Sequence, residues 1–184
     1  MKVLEIVKLA ALFAGKREVV TSLMGAVQPE PYLQEEIDMF VRCVNLVNHE
    51  IASDYIPLVY EETLTGEFGK FSYTKFAKKV YEIIRATSFG GDKIRFKLFP
   101  TYMQTNINTV NVMYSYLPDI VDLSSDINYP KLSENVFAYG VAMEYLLINT
   151  LSDEAQIWER RYRDGLFLAS RKTHEKTLPK RRWV

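Results

Sequence analysis

Few residues in this sequence combine the types and the spacing that catalysis or metal binding requires. His49 and Glu50 begin the pattern His-Glu-x-x-His, which holds zinc because its two imidazoles lie four residues apart on one helix face. Position 53 is Ser53, so the second imidazole is missing. The only other histidine, His174, lies near the C-terminus, and we interpret His49 as a surface or capping residue.

Two further chemical possibilities fail on spacing. Residues 90–93 read Gly-Gly-Asp-Lys, but a phosphate-binding P-loop needs Gly, four residues and then Gly-Lys-Ser/Thr, so a turn fits better. Cys43 would need a nearby histidine base to act as a nucleophile, and His49 is out of register for contact along one helix. We therefore expect a half-buried structural thiol. We assign no catalytic, cofactor-binding or metal-binding residue and predict that the protein is not an enzyme.

The composition is that of a globular protein with one core. The chain has 184 residues, and its 23 basic and 23 acidic side chains cancel, which argues against a protein that coats nucleic acid by bulk charge. A single cysteine excludes an internal disulfide framework. No apolar run approaches the roughly 20 residues of a membrane span, and we expect a soluble intracellular protein without a membrane partner.

Helical periodicity dominates both ends of the chain. Apolar spacing predicts helices over residues 2–14 and 33–51, with a shorter helix from Arg17 to Met24 and an extended link at the prolines between them. At the other end, Ser133 and Ser152 are candidate N-caps of two helices joined by a short link, which predicts an antiparallel hairpin. Gly140 would allow a neighbouring helix to approach closely.

The middle of the chain has the pattern of strands. Residues 58–73 predict a hairpin with a longer loop, and residues 94–98 and 109–116 predict further strands of one small antiparallel sheet. Residues 80–88 fit either a strand or a helix, and residues 119–131 are irregular.

The predicted fold class is therefore α+β. A helical body (residues 1–56 and 131–170) carries a β insertion (residues 57–118) in a single domain, 1–170, and a basic mobile tail follows at 171–184.

Charge is segregated along the chain. Residues 29–64 hold eight acidic side chains and one basic one, residues 70–97 hold eight basic and two acidic ones, and residues 171–184 hold six basic and one acidic. Three interpretations stay open: solvated faces, head-to-tail docking between identical subunits, and binding of nucleic acid or an acidic partner. A nucleic-acid surface would use Lys75, Lys78, Lys79, Arg95 and Lys97.

The order of elements and several residue groups resemble the head-to-tail adaptor (connector) proteins of tailed bacteriophages, including the tail tubular protein A type. The first group, in the N-terminal helices, is Cys43, Asn45, Asn48, Glu50, Asp54, Tyr55, Ile56 and Pro57. The second, in the β insertion, is Phe71, Ser72, Tyr73, Val112, Tyr114, Tyr116 and Pro118. The third, in the closing hairpin and at the end of the chain, is Ala138, Tyr139, Gly140, Val141, Ala142, Glu144, Tyr145, Glu154, Ala155, Trp158, Arg161, Tyr162, Arg181, Arg182 and Trp183.

The resemblance implies a structural protein of the virion neck that is made in the host cytoplasm. Subunits would form a homo-oligomeric ring, usually twelve-fold, beneath the portal protein, with tail or nozzle proteins on the other side and the genome DNA passing through. No cofactor is implied. The C-terminal residues would dock into the portal, and those we expect to do so are Arg171, Lys172, Lys176, Lys180, Arg181, Arg182 and Trp183. Two alternatives remain, a nucleic-acid-binding domain with a basic sheet and an enzyme of unrecognised type.

Overall fold

The computed structural model describes residues 1–25 and 29–170, and it has the expected α+β fold. Its α-helices are α1 (Val3–Phe13), α2 (Arg17–Met24), α3 (Pro31–Glu50), α4 (Glu134–Ile148) and α5 (Ser152–Ser170). No helix in the described ranges is both long enough and apolar enough to cross a bilayer.

The N-terminal helices begin and end where local chemistry requires. Gly15 ends α1 with a φ of +74°, and the N–H of Lys16 then donates to the Ala11 carbonyl at 2.8 Å. Pro31 is the first residue of α3 and does not belong to the extended link, because its missing N–H would have no helical partner at that position. After Glu50, one π-helical turn, Ile51–Tyr55, carries the chain towards the first strand.

Helix α4 is the centre of the helical body, and α1, α3 and α5 pack around it. It is apolar on all sides, as expected for a buried helix. Ser133 caps it as predicted, since its Oγ accepts from the N–H of Val136 at 3.4 Å. Ser152 is instead the first residue of α5, so its prediction as an N-cap was wrong by one position.

The hairpin of α4 and α5 is confirmed, and each helix contributes one glycine to a close contact with the other. A Cβ on Gly140 would lie 2.7 Å from the ring of Tyr162, and a Cβ on Gly165 would lie 2.5 Å from Val136. The predicted role of Gly140 is therefore correct, and Gly165 plays the same part on α5.

The strands form two sheets where the sequence suggested one. They are β1 (Leu58–Thr65), β2 (Lys70–Ser72), β3 (Val80–Thr87), β4 (Lys97–Leu98), β5 (Tyr102–Gln104) and β6 (Thr109–Tyr116). One antiparallel sheet has the order β1-β6-β3 and the other β2-β5-β4. Side chains from both sheets form one buried cluster, and we call residues 58–116 the β module.

The predicted hairpin over residues 58–73 was wrong. β1 pairs along its whole length with β6, whereas β2 pairs with β5 in the other sheet. Between β1 and β2 the chain passes from one sheet to the other. Gly66 and Gly69 make this possible because they lie close to the backbones of Lys70 and Thr105, where a Cβ would be 2.2 Å from the carbonyl oxygen. Residues 80–88 are a strand, β3, and only Lys97–Leu98 of the predicted strand 94–98 joins a ladder.

The buried side chains form two clusters, one in each part. The helical cluster includes Phe40 and Tyr145, whose rings stack at 4.0 Å, and it extends to Tyr129 of the irregular segment 119–131. The cluster of the β module lies between its sheets and consists of Leu64, Phe71, Phe76, Ile83, Met103, Val110, Val112 and Tyr114. The irregular segment is tied to α3 by Asn45, which exchanges two hydrogen bonds with the backbone of Val121 at 2.8 and 3.0 Å.

Candidate assembly surfaces

The residues predicted to dock into a partner lie outside the described ranges. They are Arg171, Lys172, Lys176, Lys180, Arg181, Arg182 and Trp183. Their docking role therefore stays a prediction, and the described residues offer other surfaces.

The predicted basic surface is divided into two groups, one on each side of β3 in the sequence. Lys75, Lys78 and Lys79 lie in the connection that enters β3, whereas Arg95 and Lys97 follow its end. The Nζ of Lys78 already lies 3.6 Å from a carboxylate oxygen of Asp119. The predicted nucleic-acid surface therefore stays a prediction, and its five cations lie before and after β3 rather than on that strand.

The cations after β3 form a short row. Ile94 and Phe96 pack against the core of the β module, so the alternating side chains Lys93, Arg95 and Lys97 are exposed. Within the described residues none of these three cations makes an ion pair. This row can attract an acidic partner without first breaking internal contacts.

Two phenylalanines project from one end of the β module. β1 and β3 both run antiparallel to β6, so the loops that follow them leave the sheet at the same end, which we call the distal end. Phe68 and Phe89 occupy these loops and are 87% and 96% exposed. Phe68 also has a φ of +53°, which is strained for a bulky residue. These two exposed rings at one end of the β module are candidates for contact with a partner, and the sequence indicated only the turns.

A polar cavity of about 400 Å³ opens on the outer face of the sheet β1-β6-β3. Glu61 Oε1 accepts from Asn111 Nδ2 at 2.7 Å and lies 3.8 Å from an Nη of Arg85. The carboxylate and the guanidinium therefore neutralise each other across β6. Among residues 1–25 and 29–170, no cluster of three or more histidine, cysteine or acidic side chains is arranged to hold a metal ion.

A half-buried carboxylate pair lies inside the helical body. Burial raises the pKa of Glu50, and the nearby charges of Glu144 and Asp54 raise it further, although the Tyr162 hydroxyl donates to Glu50 Oε2 at 3.1 Å. Burial likewise raises the pKa of Glu144. Burial, and secondarily Glu144, raise the pKa of Cys43 to about 12. Cys43 is fully buried and not half-buried as predicted.

Sequence reasoning missed this pair because it depends on the packing of α3 against α4. The one available signal was an acidic residue, Glu144, within the apolar run that follows the first turn of α4. His49, the other candidate in this region, lies in the last turn of α3 and is partly exposed.

Comparison with models of known protein families and with curated protein sequences finds no match for this chain.

Proposed function

We propose that the protein is a ring-forming head-to-tail adaptor of a bacteriophage neck, docked on the portal on one side and on tail or nozzle proteins on the other. The observation that carries this proposal is the separation of opposite charge between two parts of one chain. Exposed acids lie on α3 and next to its two ends, and exposed cations flank β3 in the β module. The exposed acids are Glu30, Glu35, Asp38 and Asp54, and the exposed cations are Lys75, Lys78, Lys79, Lys93, Arg95 and Lys97.

Such a distribution favours contact between different surfaces of identical subunits. A contact of this kind is heterologous, and it closes into a ring when the rotation between neighbouring subunits is a whole fraction of a turn. Charged surfaces of opposite sign also guide subunits into one orientation. The charge pattern therefore supports a ring better than it supports a symmetric dimer.

The β module supports the tail-side role. It is inserted between α3 and α4, has its own buried cluster, and presents Phe68 and Phe89 at its distal end. Nearly complete exposure of two large apolar side chains is costly in water and becomes favourable when a partner covers them. We assign this end to the tail-side partner and the C-terminal residues to the portal.

The decisive experiment measures the mass of the protein by light scattering, alone and mixed with the portal protein from the same genome. A ring-sized complex in the mixture is expected. A matched variant with alanine at Arg181, Arg182 and Trp183 is expected to fold normally and bind the portal more weakly. A protein that stays a monomer in the presence of the portal would overturn the proposal.

A second variant separates the two sides of the ring. Phe68→Ser/Phe89→Ser changes only exposed side chains, so portal binding should persist while attachment of tails to filled heads is lost. If this variant attaches tails normally, the assignment of the distal end is wrong.

One observation favours nucleic-acid binding as a second candidate function. The row Lys93, Arg95 and Lys97 is exposed and has no ion-pair partner within the described residues. If these three cations contact phosphates, the logarithm of the affinity for duplex DNA falls with the logarithm of salt concentration with a slope of about −3. The triple variant with serine at the three positions should then lose that slope. Equal affinity of both proteins for DNA would exclude this surface.

A further inference from the structure

Within residues 1–25 and 29–170, the sheet β1-β6-β3 has two edges that no other named strand covers. Among the described residues, no backbone hydrogen bond reaches the outer edge of β1. In the part of the chain that the structure describes, the outer edge of β3 is covered from Ala86 onward: the N–H of Ile94 donates to the Ala86 carbonyl at 2.9 Å, and Thr87 bridges to Lys93. The outer edge over residues 80–85 is free within the described ranges. An uncovered strand edge exposes unpaired backbone N–H and C=O groups, so a strand of another chain can dock there.

Both edges expose apolar side chains at matching heights. Val59 of β1 and Glu82 of β3 both face Ser115 of β6, so Val59 is level with Tyr81, the neighbour of Glu82. Val59 is 48% exposed and Tyr81 is 52% exposed. Tyr81 and Ile84 lie at the two places where the register of β3 with β6 shifts, as the extra residue of a β-bulge does.

The two edges differ in charge. Residues 58–69, which include β1, contain three acidic side chains and no basic one. Residues 78–97, which include β3, contain six basic and two acidic ones. Glu61 and Arg85 both face Met113 of β6 and already form an ion pair at 3.8 Å within the chain, so the difference in charge between the edges comes from the other residues of these segments.

We infer that β1 of one copy docks beside β3 of the next copy, so that the sheet continues from subunit to subunit around the ring. The inference rests on the proposed function and names the ring contact. Val59 then meets Tyr81 of the next copy, while Glu61 and Arg85 keep their ion pair within each chain. Because β1 and β3 run in the same direction, copies related by rotation about an axis along the strands dock in parallel. The irregularities in β3 restrict backbone pairing, so side chains carry most of the contact.

Disulfide trapping tests the contact directly. Cys43 is buried, so cysteines introduced by Val59→Cys and Tyr81→Cys are the reactive ones. Within one chain they cannot join, because β1 and β3 are two strand spacings apart, about 9–10 Å, and a disulfide needs Cα atoms within about 7 Å. Oxidation of the double variant, with and without the portal, should give a ladder of covalent oligomers. Each single variant serves as the control and can give dimers at most. A double variant that gives only those dimers would overturn the inference.

Complementary charge reversal gives a second measurement that does not depend on oxidation. One variant carries Val59→Lys and Thr63→Lys on β1, and the other carries Lys79→Glu just before β3 and Tyr81→Glu on β3. All four side chains are exposed, and thermal denaturation checks that both variants fold. Each variant alone should associate at least tenfold more weakly than the natural protein. An equimolar mixture should associate again, because each reversed edge then meets an edge of opposite charge in an alternating ring.

The results separate the contact from the proposed function. Portal-bound rings that are insensitive to charge reversal and give no ladder would refute the β1–β3 contact and leave the adaptor proposal standing. A ladder and a charge-rescued mixture without any portal complex would establish the contact and refute the adaptor role.

Discussion

Because α4 and α5 pack closely, one glycine-to-alanine substitution should destabilise the protein, whereas the same change usually stabilises a helix. Replacing a mid-helix glycine with alanine ordinarily stabilises a protein by about 1 kcal/mol. At Gly140, however, the new Cβ would lie 2.7 Å from Cε2 of Tyr162 and 3.0 Å from Cδ2 and Cζ. This ring is buried, and its hydroxyl is held by Glu50 at 3.1 Å, so it cannot move aside freely. Overpacking costs about 1–3 kcal/mol, and loss of a hydrogen bond to a charged group costs about 1.5–3 kcal/mol more. We expect Gly140→Ala to destabilise the protein by about 2 kcal/mol and to lower Tm by about 4–8 °C.

Thermal and urea denaturation followed by circular dichroism at 222 nm measure this effect. Gly165→Ala is the matched comparison, because its Cβ would lie 2.5 Å from a methyl group of Val136 that can be removed. The double variant Val136→Ala/Gly165→Ala should be more stable than the sum of the single effects predicts, by about 1 kcal/mol. A Gly140→Ala protein as stable as the natural one, together with additive effects at Val136 and Gly165, would refute the close packing of the hairpin.

Two further predictions concern a buried charge and a strained loop. Because the folded-state pKa of Glu144 is raised, the stability tied to its protonation is full at low pH and is lost as pH rises through that pKa. Glu144→Gln should therefore raise Tm by about 1–2 °C at pH 7 but not at pH 4, whereas the exposed control Glu134→Gln should leave Tm unchanged at both pH values. Equal Tm curves for all three proteins would contradict this reasoning. Phe68→Asn should stabilise the protein by about 0.5–1 kcal/mol in urea denaturation, because asparagine tolerates the positive φ at that position. Phe89→Asn in the other distal loop should not change the free energy of unfolding. A destabilised Phe68→Asn protein would show that the aromatic ring supports the fold.

The helical body was predictable because its signals are local. Apolar residues at spacings of three and four mark each helix, and the stop at Gly15 and the cap at Ser133 act within one turn. The short link between α4 and α5 left an antiparallel hairpin as the natural arrangement. Gly140 was predictable for the same reason, since a glycine inside an apolar helix needs a packing explanation.

The β module was harder to predict because its pairings are distant in sequence. β1 pairs with β6 about 50 residues later, and nothing within β1 distinguishes β6 from the nearer β2. Membership of the two sheets depends on contacts of Gly66 and Gly69 with backbone carbonyls, which no local pattern shows. The carboxylate pair depends in the same way on the packing of α3 against α4. The seven C-terminal residues predicted to dock into the portal remain a prediction.

If the protein forms the proposed ring, the two buried clusters predict that contacts along β1 and β3 would stabilise the β module more than the helical body. The two parts differ in how many buried side chains hold them together. The helical body packs around one central apolar helix, α4. The β module depends on eight buried side chains between two three-stranded sheets, and its strand β4 has only two residues. A part with few buried contacts and open strand edges opens more readily than the rest of the protein. Contacts along β1 and β3 would bury the module's uncovered edges, and a partner on Phe68 and Phe89 would cover its distal end. Anything that binds only the folded state stabilises that state. Ring formation and tail docking would therefore each stabilise the β module. Because both act on the same part of the protein, each event would favour the other.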